Sequence, residues 1–441
     1  MGGMNKRLRM FLSIFIACAL VCVVFCVVFA RRKKVEEPVV VEYWTHEDKT
    51  REALENRLIT QFMADNPGIV VHRVVHGSAE QVELIPRAFA AGNGPDLFNL
   101  PIENEYPFIA QGVVSPVDWK SAGFSSLSSL EETYIDGVFD GVRKDGNIYG
   151  LPLEYTNWCL YINKKAFREA GLDAEKDYPR TWEDVVSLSE KLVVSDGSAL
   201  KKRGFDFRYP YYLNFLVPMV EQLGGNLVGE DGRTALPGED AWVSVLSFMR
   251  QWGPNGLNLG SPTYQNARYS FMGDDATASM ALSGLYQESR MAEQYPDFYD
   301  SGDWMVVPFP QFAQAVRNVS SCTYAHYFMV NASSDEKVRS GAWKLVGYLL
   351  SHGEEYLTSA SLLQPTKALF ASSVLRKMPY SSVFIDDLSK SQLIYAGPKS
   401  SEIQDLLAVA VESVMLGDEN PEKAYVTLKA GVQELLDEGA K

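Results

Sequence analysis

The chain has 441 residues, too many for one ordinary hydrophobic core and enough for roughly two globular lobes of about 200 residues each. Hydrophobic residues make up 46% and charged residues 22%, which excludes a largely disordered polypeptide. A net charge of -15, with no basic stripe interleaved with aromatics after residue 35, excludes an ordinary nucleic-acid-binding surface.

The first predicted element is a membrane segment at 10–30, an apolar run preceded by the basic stretch 1–9 with Lys6, Arg7 and Arg9, and followed by Arg31, Arg32, Lys33 and Lys34. As a helix it spans about 30 Å, the hydrocarbon thickness of a bilayer. The run is longer than the apolar core of a cleaved signal peptide and is basic at both ends, so it reads as an uncleaved signal anchor. A second reading takes Phe15-Ile16-Ala17-Cys18 as a lipobox with Cys18 lipidated, against which stands the apolar stretch from Ala19 to Ala30. Either way the globular part is tethered to a membrane. Charge does not set the orientation, because both flanks are basic. Cys18, Cys22 and Cys26 fall on one helix face as small apolar residues; Cys159 and Cys322 lack metal-ligand spacing and read as buried thiols, a single disulfide being the alternative.

After a linker at 31–38, Val39 to Trp44 is the first strand. A helix at 49–64 ends at Asn66-Pro67-Gly68; a β-branched strand follows at 69–75, then a helix at 79–91 stopped by Gly92-Asn93-Gly94-Pro95, and a strand at 96–100. This alternation predicts a parallel sheet, whose ligands bind at the carboxyl ends of the strands, so the loops after Trp44, Val75 and Phe98 are the ones to watch. Lys144-Asp145-Gly146 predicts a hairpin turn, Trp158 to Phe167 a strand entering a helix, and Thr181 an N-cap with Asp184 completing a capping box. From there the chain reads as mainly helical through Phe215 and a helix at 239–253. Strands at 304–310 and 321–330 and helices at about 335–351, 401–416 and 421–438 complete it.

The Asn-Pro-Gly and Gly-Pro-Asp turns are similar to those in the first βαβ unit of the carbohydrate-type (family 1) bacterial extracellular solute-binding proteins of ABC importers. So are Tyr149-Gly150-Leu151-Pro152, the Tyr161, Asn163, Lys164 and Phe167 segment, Thr181-Trp182-Glu183-Asp184, Phe271 to Gly284 with Tyr286 where the family has Trp, Pro308-Phe309-Pro310, and Pro365 with Lys367. These segments stand in the family's order over about residues 39–438. The resemblance implies a two-lobed α/β periplasmic-binding-protein fold of type II, with discontinuous domains joined by a hinge and preceded by the membrane segment. One lobe would comprise 39–155 and 325–363, the other 156–324 and 364–441, with crossings near 154–160, 320–326 and 363–367. It further implies a mono- or oligosaccharide ligand, an ABC permease partner that recognises the closed form, no cofactor, and a location in the cell envelope outside the cytoplasm.

Sugars present hydroxyl fringes and weakly apolar faces, so a receptor needs acceptors at the rim and aromatic plates for stacking. In the resembled family the Gly-Pro-Asp loop lies in the cleft, which makes Asp96 the first candidate acceptor, facing the aromatics of the other lobe on closure. Trp44 and Glu47 follow the first strand. Tyr209, Tyr211, Tyr212 and Phe215 form an aromatic cluster before Gly224-Gly225, Tyr286 stands at the stacking position, and Glu154, with Tyr155 and Asn157, and Tyr395 are further candidates. Several of these have a plain alternative: Asp96 as a turn cap, Trp44 and the tyrosines as core.

Catalysis finds less support. His72 and His76 lie four apart on a strand, about 13 Å, too far to share a metal ion. No H-E-x-x-H, P-loop, G-x-S-x-G or G-x-G-x-x-G occurs. A glycoside hydrolase remains the enzymatic alternative, since it too needs carboxylates and aromatic platforms. A solute sensor docking on a membrane signalling protein is the third reading.

Overall fold

The computed structural model describes residue 10 and residues 37–264, 267–273, 275–395 and 397–439. Apart from Met10 and the linker's last two residues, the expected membrane segment and linker lie outside the described residues, among which no helix is long and apolar enough to cross a membrane. The strands in chain order are β1 (Val39–His46), β2 (Ile69–His76), β3 (Leu97–Pro101), β4 (Arg143–Lys144), β5 (Asn147–Ile148), β6 (Leu151–Thr156), β7 (Cys159–Asn163), β8 (Val194–Asp196), β9 (Ala199–Phe205), β10 (Ala278–Ser283), β11 (Trp304–Val307) and β12 (Tyr324–Val330).

They form two five-stranded sheets, ordered β2-β1-β3-β12-β6 and β11-β7-β10-β9-β8, and a two-stranded β4-β5 hairpin. Each large sheet is the floor of one lobe. In the first, β1 runs parallel to β2 from Val39 opposite Ile69 to His46 opposite His76. β3 is parallel to β1, and β12 is antiparallel to β3 with His326 opposite Pro101. The carboxyl ends of β1, β2 and β3 therefore lie together with the amino end of β12.

The helix Lys49–Asp65 begins where Asp48 accepts from the backbone of Thr50 and Arg51, and ends where the Asn66 N–H bonds Phe62 O at 2.9 Å. Leu54, Leu58, Ile59 and Phe62 recur at helical spacing and are buried on the sheet. Truncating the fully buried Leu58 to Ala would cost about 2–5 kcal/mol. In the second lobe the expected capping box forms, Asp184 N–H bonding Thr181 Oγ1 at 3.0 Å and Thr181 N–H returning to Asp184 Oδ2 at 3.0 Å. Behind it Trp182 packs on Phe205, Phe207 and Phe309 with ring centroids 5.2–6.1 Å apart.

The β8-β9 hairpin is a departure from the mainly helical expectation after Thr181. Its β9 carries Lys201, Lys202 and Arg203 toward the edge of the sheet, where charge guards an exposed strand and blurs the apolar alternation. The chain passes between the sheets three times: β6 to β7, β11 to β12, and from the helix Gly353–Ala360 to the helix Lys367–Phe370. These crossings are tied together. Trp158 N–H donates to Ser321 Oγ at 2.7 Å, the hydroxyl donates back to Trp158 O at 3.0 Å, and Tyr155 N–H donates to Leu363 O at 2.8 Å. Cys159 and Cys322, near two of the crossings, are both buried and free.

Candidate functional site

A cavity of about 350 Å³ lies where the carboxyl ends of β1–β3 meet the second lobe. His46, Gln81, Asn99, Glu103, Tyr324 and His326 line it from the first sheet and its helices; Tyr211, Arg268, Arg290 and Gln404 line the opposite side. Each position follows from the local fold. His46 ends β1, Asn99 sits in β3, and Gln81 is on the helix Ser78–Ala90 after β2. His326 is carried there by its pairing with Pro101. A larger hollow of about 710 Å³, lined by Lys49, Glu288 and Lys377 among others, lies away from these strand ends.

The floor is a buried hydrogen-bond network. Asn99 Nδ2 donates to Thr45 Oγ1 at 2.9 Å and Tyr43 Oη at 3.1 Å, Gln81 Nε2 donates to Asn99 O at 2.7 Å, and His46 Nδ1 lies 3.1 Å from Asn99 Oδ1. The His46 and His326 rings are 4.5 Å apart. His326 is pushed down to about 3 by burial, with Arg51 and Arg290 adding to it, and burial likewise holds His46 well below its ordinary value. Both imidazoles are neutral at pH 7, each with one donor and one acceptor. Glu103 is pushed up to about 7 by burial. Gln81 Oε1, Glu103 Oε2, Arg290 Nη1, His326 Nδ1 and Gln404 Oε1 are buried and have no partner among the described residues. An unpaired buried polar group costs about 1–3 kcal/mol, so these atoms favour an occupant with hydroxyls.

The second lobe supplies cations and aromatics. Arg208 donates from Nη1 to Tyr286 Oη at 2.7 Å and lies 3.9 Å over Trp158 and 5.0 Å from Tyr211. Arg290 lies 4.5 Å over Tyr286 and reaches Asp48 Oδ2 at 2.8 Å, bridging the lobes. Burial alone would raise Tyr286, but Arg208, Arg268 and Arg290 outweigh it and lower it. Gly284 makes the turn possible, since a Cβ there would come 2.5 Å from Tyr286 Cε1 and 2.8 Å from Thr156 Cγ2.

Of the residues anticipated from sequence, Tyr211 lines the cavity. Tyr286 sits behind it as the support for Arg208 and Arg290, and Glu154, pushed up to about 7 by burial, lies 3.9 Å from His326. Asp96 is elsewhere. It precedes β3, so it sits at the amino end of the strand, accepting from Glu42 N–H at 2.9 Å and Ser334 Oγ at 2.6 Å, and does not face the aromatics of the other lobe. Trp44 packs on His76 at 4.9 Å and donates to Glu42, and Glu47 is exposed beyond the strand end. Tyr212 and Phe215, one turn apart on the helix Tyr212–Gln222, pack with the preceding Tyr209 into the core beside Phe207. Tyr395 is half-buried outside the cavity. Asn99, Arg268, Arg290 and His326 went unanticipated; a polar Asn inside the apolar run Leu97 to Leu100 was the one local signal.

The model of the bacterial extracellular solute-binding protein family matches residues 46–356. The chain belongs to that family. Its members are receptors for solutes, and the extracellular assignment puts the folded part outside the cytoplasm. An arabinooligosaccharide-binding protein of Halalkalibacterium halodurans is 24% identical over 280 residues, 59% of this chain; the match likewise spans 59% of that relative's length. Two solved structures share the fold. An ABC transporter solute-binding protein from Thermotoga lettingae, bound with alpha-D-tagatose, superposes with a TM-score of 0.77 at 19% identity, covering 90% of this chain and 99% of that one. The maltose/maltodextrin-binding domain MalE from Bdellovibrio bacteriovorus, bound to maltotriose, gives 0.76 at 18% identity over 90% and 100%.

Proposed function

We propose that this solute-binding protein captures a carbohydrate in the inter-lobe cleft by hinge closure and delivers it to the permease of an ABC importer. The observation that carries this is the set of unpartnered buried donors and acceptors converging on one cavity beside the Tyr211 and Tyr324 rings. Hydroxyls satisfy the former and the C–H face of a sugar ring suits the latter. The sugars bound by the arabinooligosaccharide, tagatose and maltotriose relatives support the same class.

Lobes of 39–155 with 325–363 and of 156–324 with 364–441 close about the three crossings, the ligand filling a cleft that water leaves. Segment 10–30 tethers the receptor at the outer face of the membrane, by the anchor itself or by lipid on Cys18. The ligand is released chemically unchanged, so the protein is a receptor and not a glycoside hydrolase. Calorimetry on the purified chain with a broad glycan panel should give one-to-one binding to at least one sugar. Binding to peptides or polyamines alone overturns the assignment, and hydrolysis of the bound glycan transfers it to the hydrolase alternative.

A further inference from the structure

Among the described residues, the guanidiniums packed at the cleft outnumber the carboxylates that pair with them. Arg51 and Arg73 are matched by Glu55, at 3.7 and 3.0 Å, together with Asp48. The same Asp48 is the sole carboxylate that pairs with Arg290 among the described residues, and neither Arg208 nor Arg268 has a carboxylate within ion-pair distance there. Arg208 is only 4% exposed. Arg290 Nη1 is buried without a partner among the described residues. Glu154 feels Arg290, Arg51 and Arg268, and Glu83 and Asp405 also line the cavity, but those two are exposed to solvent and none of the three carboxylates pairs with Arg208, Arg268 or Arg290 among the described residues. Glu103, across the cavity, is shifted by burial with no arginine among its charged neighbours, so it does not neutralise the cluster. Buried cations lacking counter-charges cost several kcal/mol each, and neutral hydroxyls repay little of that.

We propose that the cleft takes an acidic carbohydrate, a sugar or polyol bearing a carboxylate or phosphate, whose oxyanion is held by Arg268 and Arg290 with Arg208 adding positive potential from behind Tyr211 and Tyr286. This rests on the carbohydrate reading of the same cleft and narrows it. Guanidinium is suited to the task, since its fork of donors matches a carboxylate or phosphate edge in two parallel hydrogen bonds. The oxyanion replaces the counter-charge that the protein omits. Closure joins Arg290 to Asp48 of the first lobe and sets it on a ligand whose uncharged portion meets Asn99, Gln81 and His326.

The test uses the full chain in a detergent without a sugar headgroup and paired probes: glucuronate with glucose, trigalacturonate with maltotriose, glucose 6-phosphate with glucose, and inorganic phosphate alone. Thermal-shift and calorimetric titrations should show at least one acidic probe binding about ten-fold or more tightly than its neutral counterpart, with affinity falling as salt rises. In Arg268→Gln that preference should shrink to about two-fold or less. Should Arg268→Gln fail to fold, the salt dependence of the native chain's affinity for each acidic probe against its neutral counterpart reads the same cluster: a dependence equal for both members of a pair overturns the inference. Equal or tighter binding of the neutral members overturns the inference and leaves carbohydrate capture standing. Binding of inorganic phosphate with no added affinity from any sugar overturns carbohydrate capture, and this narrowing of it, though the anion pocket remains. No response to any acidic probe, phosphate included, overturns the inference.

Discussion

Arg290 Nη2 stands 2.8 Å from Asp48 Oδ2, and this buried ion pair joins the helix after β10 in one lobe to the cap of the helix after β1 in the other. Burial alone would raise Asp48, but Arg290 and Arg51 hold it well below the usual carboxylate range. Asn is as good a cap as Asp, so Asp48→Asn removes the charge and keeps the cap. The closed form should lose about 3–5 kcal/mol, because Arg290 is left buried and unpaired. Small-angle scattering at saturating ligand should then show a larger radius of gyration than the wild type at saturation. Arg57→Ala breaks an ion pair with Glu355 whose side chains are 47% and 45% exposed, costs about 0–1 kcal/mol, and should leave the scattering unchanged.

Glu154 links stability to pH. Burial pushes it up to about 7 from an unfolded value near 4.5, so the native state favours its protonated form. That contribution is complete below about pH 4.5 and disappears as pH rises through about 7. Glu154→Gln, permanently neutral, should therefore melt close to the wild type at pH 5 and above it at pH 8. An equal difference at both pH values contradicts the assignment.

The imidazoles act in the opposite sense. His326 falls to about 3 in the folded state, so its neutral form stabilises fully above its ordinary value near 6.5 and that contribution is lost as pH drops toward 3. His326→Gln should flatten the acid side of the melting-temperature profile between pH 6 and 4. A profile that keeps the wild-type slope there argues against a buried neutral His326.

Much of this architecture is legible in sequence where local chemistry and tertiary context agree. Asn66-Pro67-Gly68 stops a helix, Thr181 with Asp184 caps one, and β1, β2 and β3 appear at their expected places within a residue or two. The loops singled out after Trp44, Val75 and Phe98 do border the cleft, through His46, Ser78 and Pro101. Residue choice within that frame was harder. Asp96 sits at the wrong end of β3, because a turn before a strand lies opposite the carboxyl end that binds. Tyr212 and Phe215 show the helical spacing of a face without showing which way the face points. Arg208, Arg268 and Arg290 lie on separate segments of the second lobe and converge only through its tertiary packing, a relationship no local pattern encodes.

Asp96 and Tyr211 separate scaffold from site. Asp96→Ala leaves Glu42 N–H and Ser334 Oγ without their acceptor and should destabilise the chain by about 1–3 kcal/mol in urea denaturation, with ligand affinity unchanged at temperatures where it is folded. Tyr211→Ala should do the reverse: affinity falls about ten-fold or more, and stability changes less. An Asp96 variant that folds normally yet loses binding would return that residue to the site.

Trp182 tests the second lobe's core. It is fully buried against Phe205, Phe207 and Phe309, and its replacement by Ala should cost about 3–5 kcal/mol in denaturant midpoint. A loss below about 1 kcal/mol would contradict that packing.

The central claim is that a carbohydrate fills the cleft between β1–β3 and the Arg290 face. Scattering-monitored titration of the purified chain with the sugar selected by calorimetry measures this most directly. The account predicts saturable one-to-one binding, a fall in radius of gyration on saturation, and loss of both responses when Asn99→Leu and Arg290→Gln are combined. Undiminished binding by that double variant would contradict the cleft as the site.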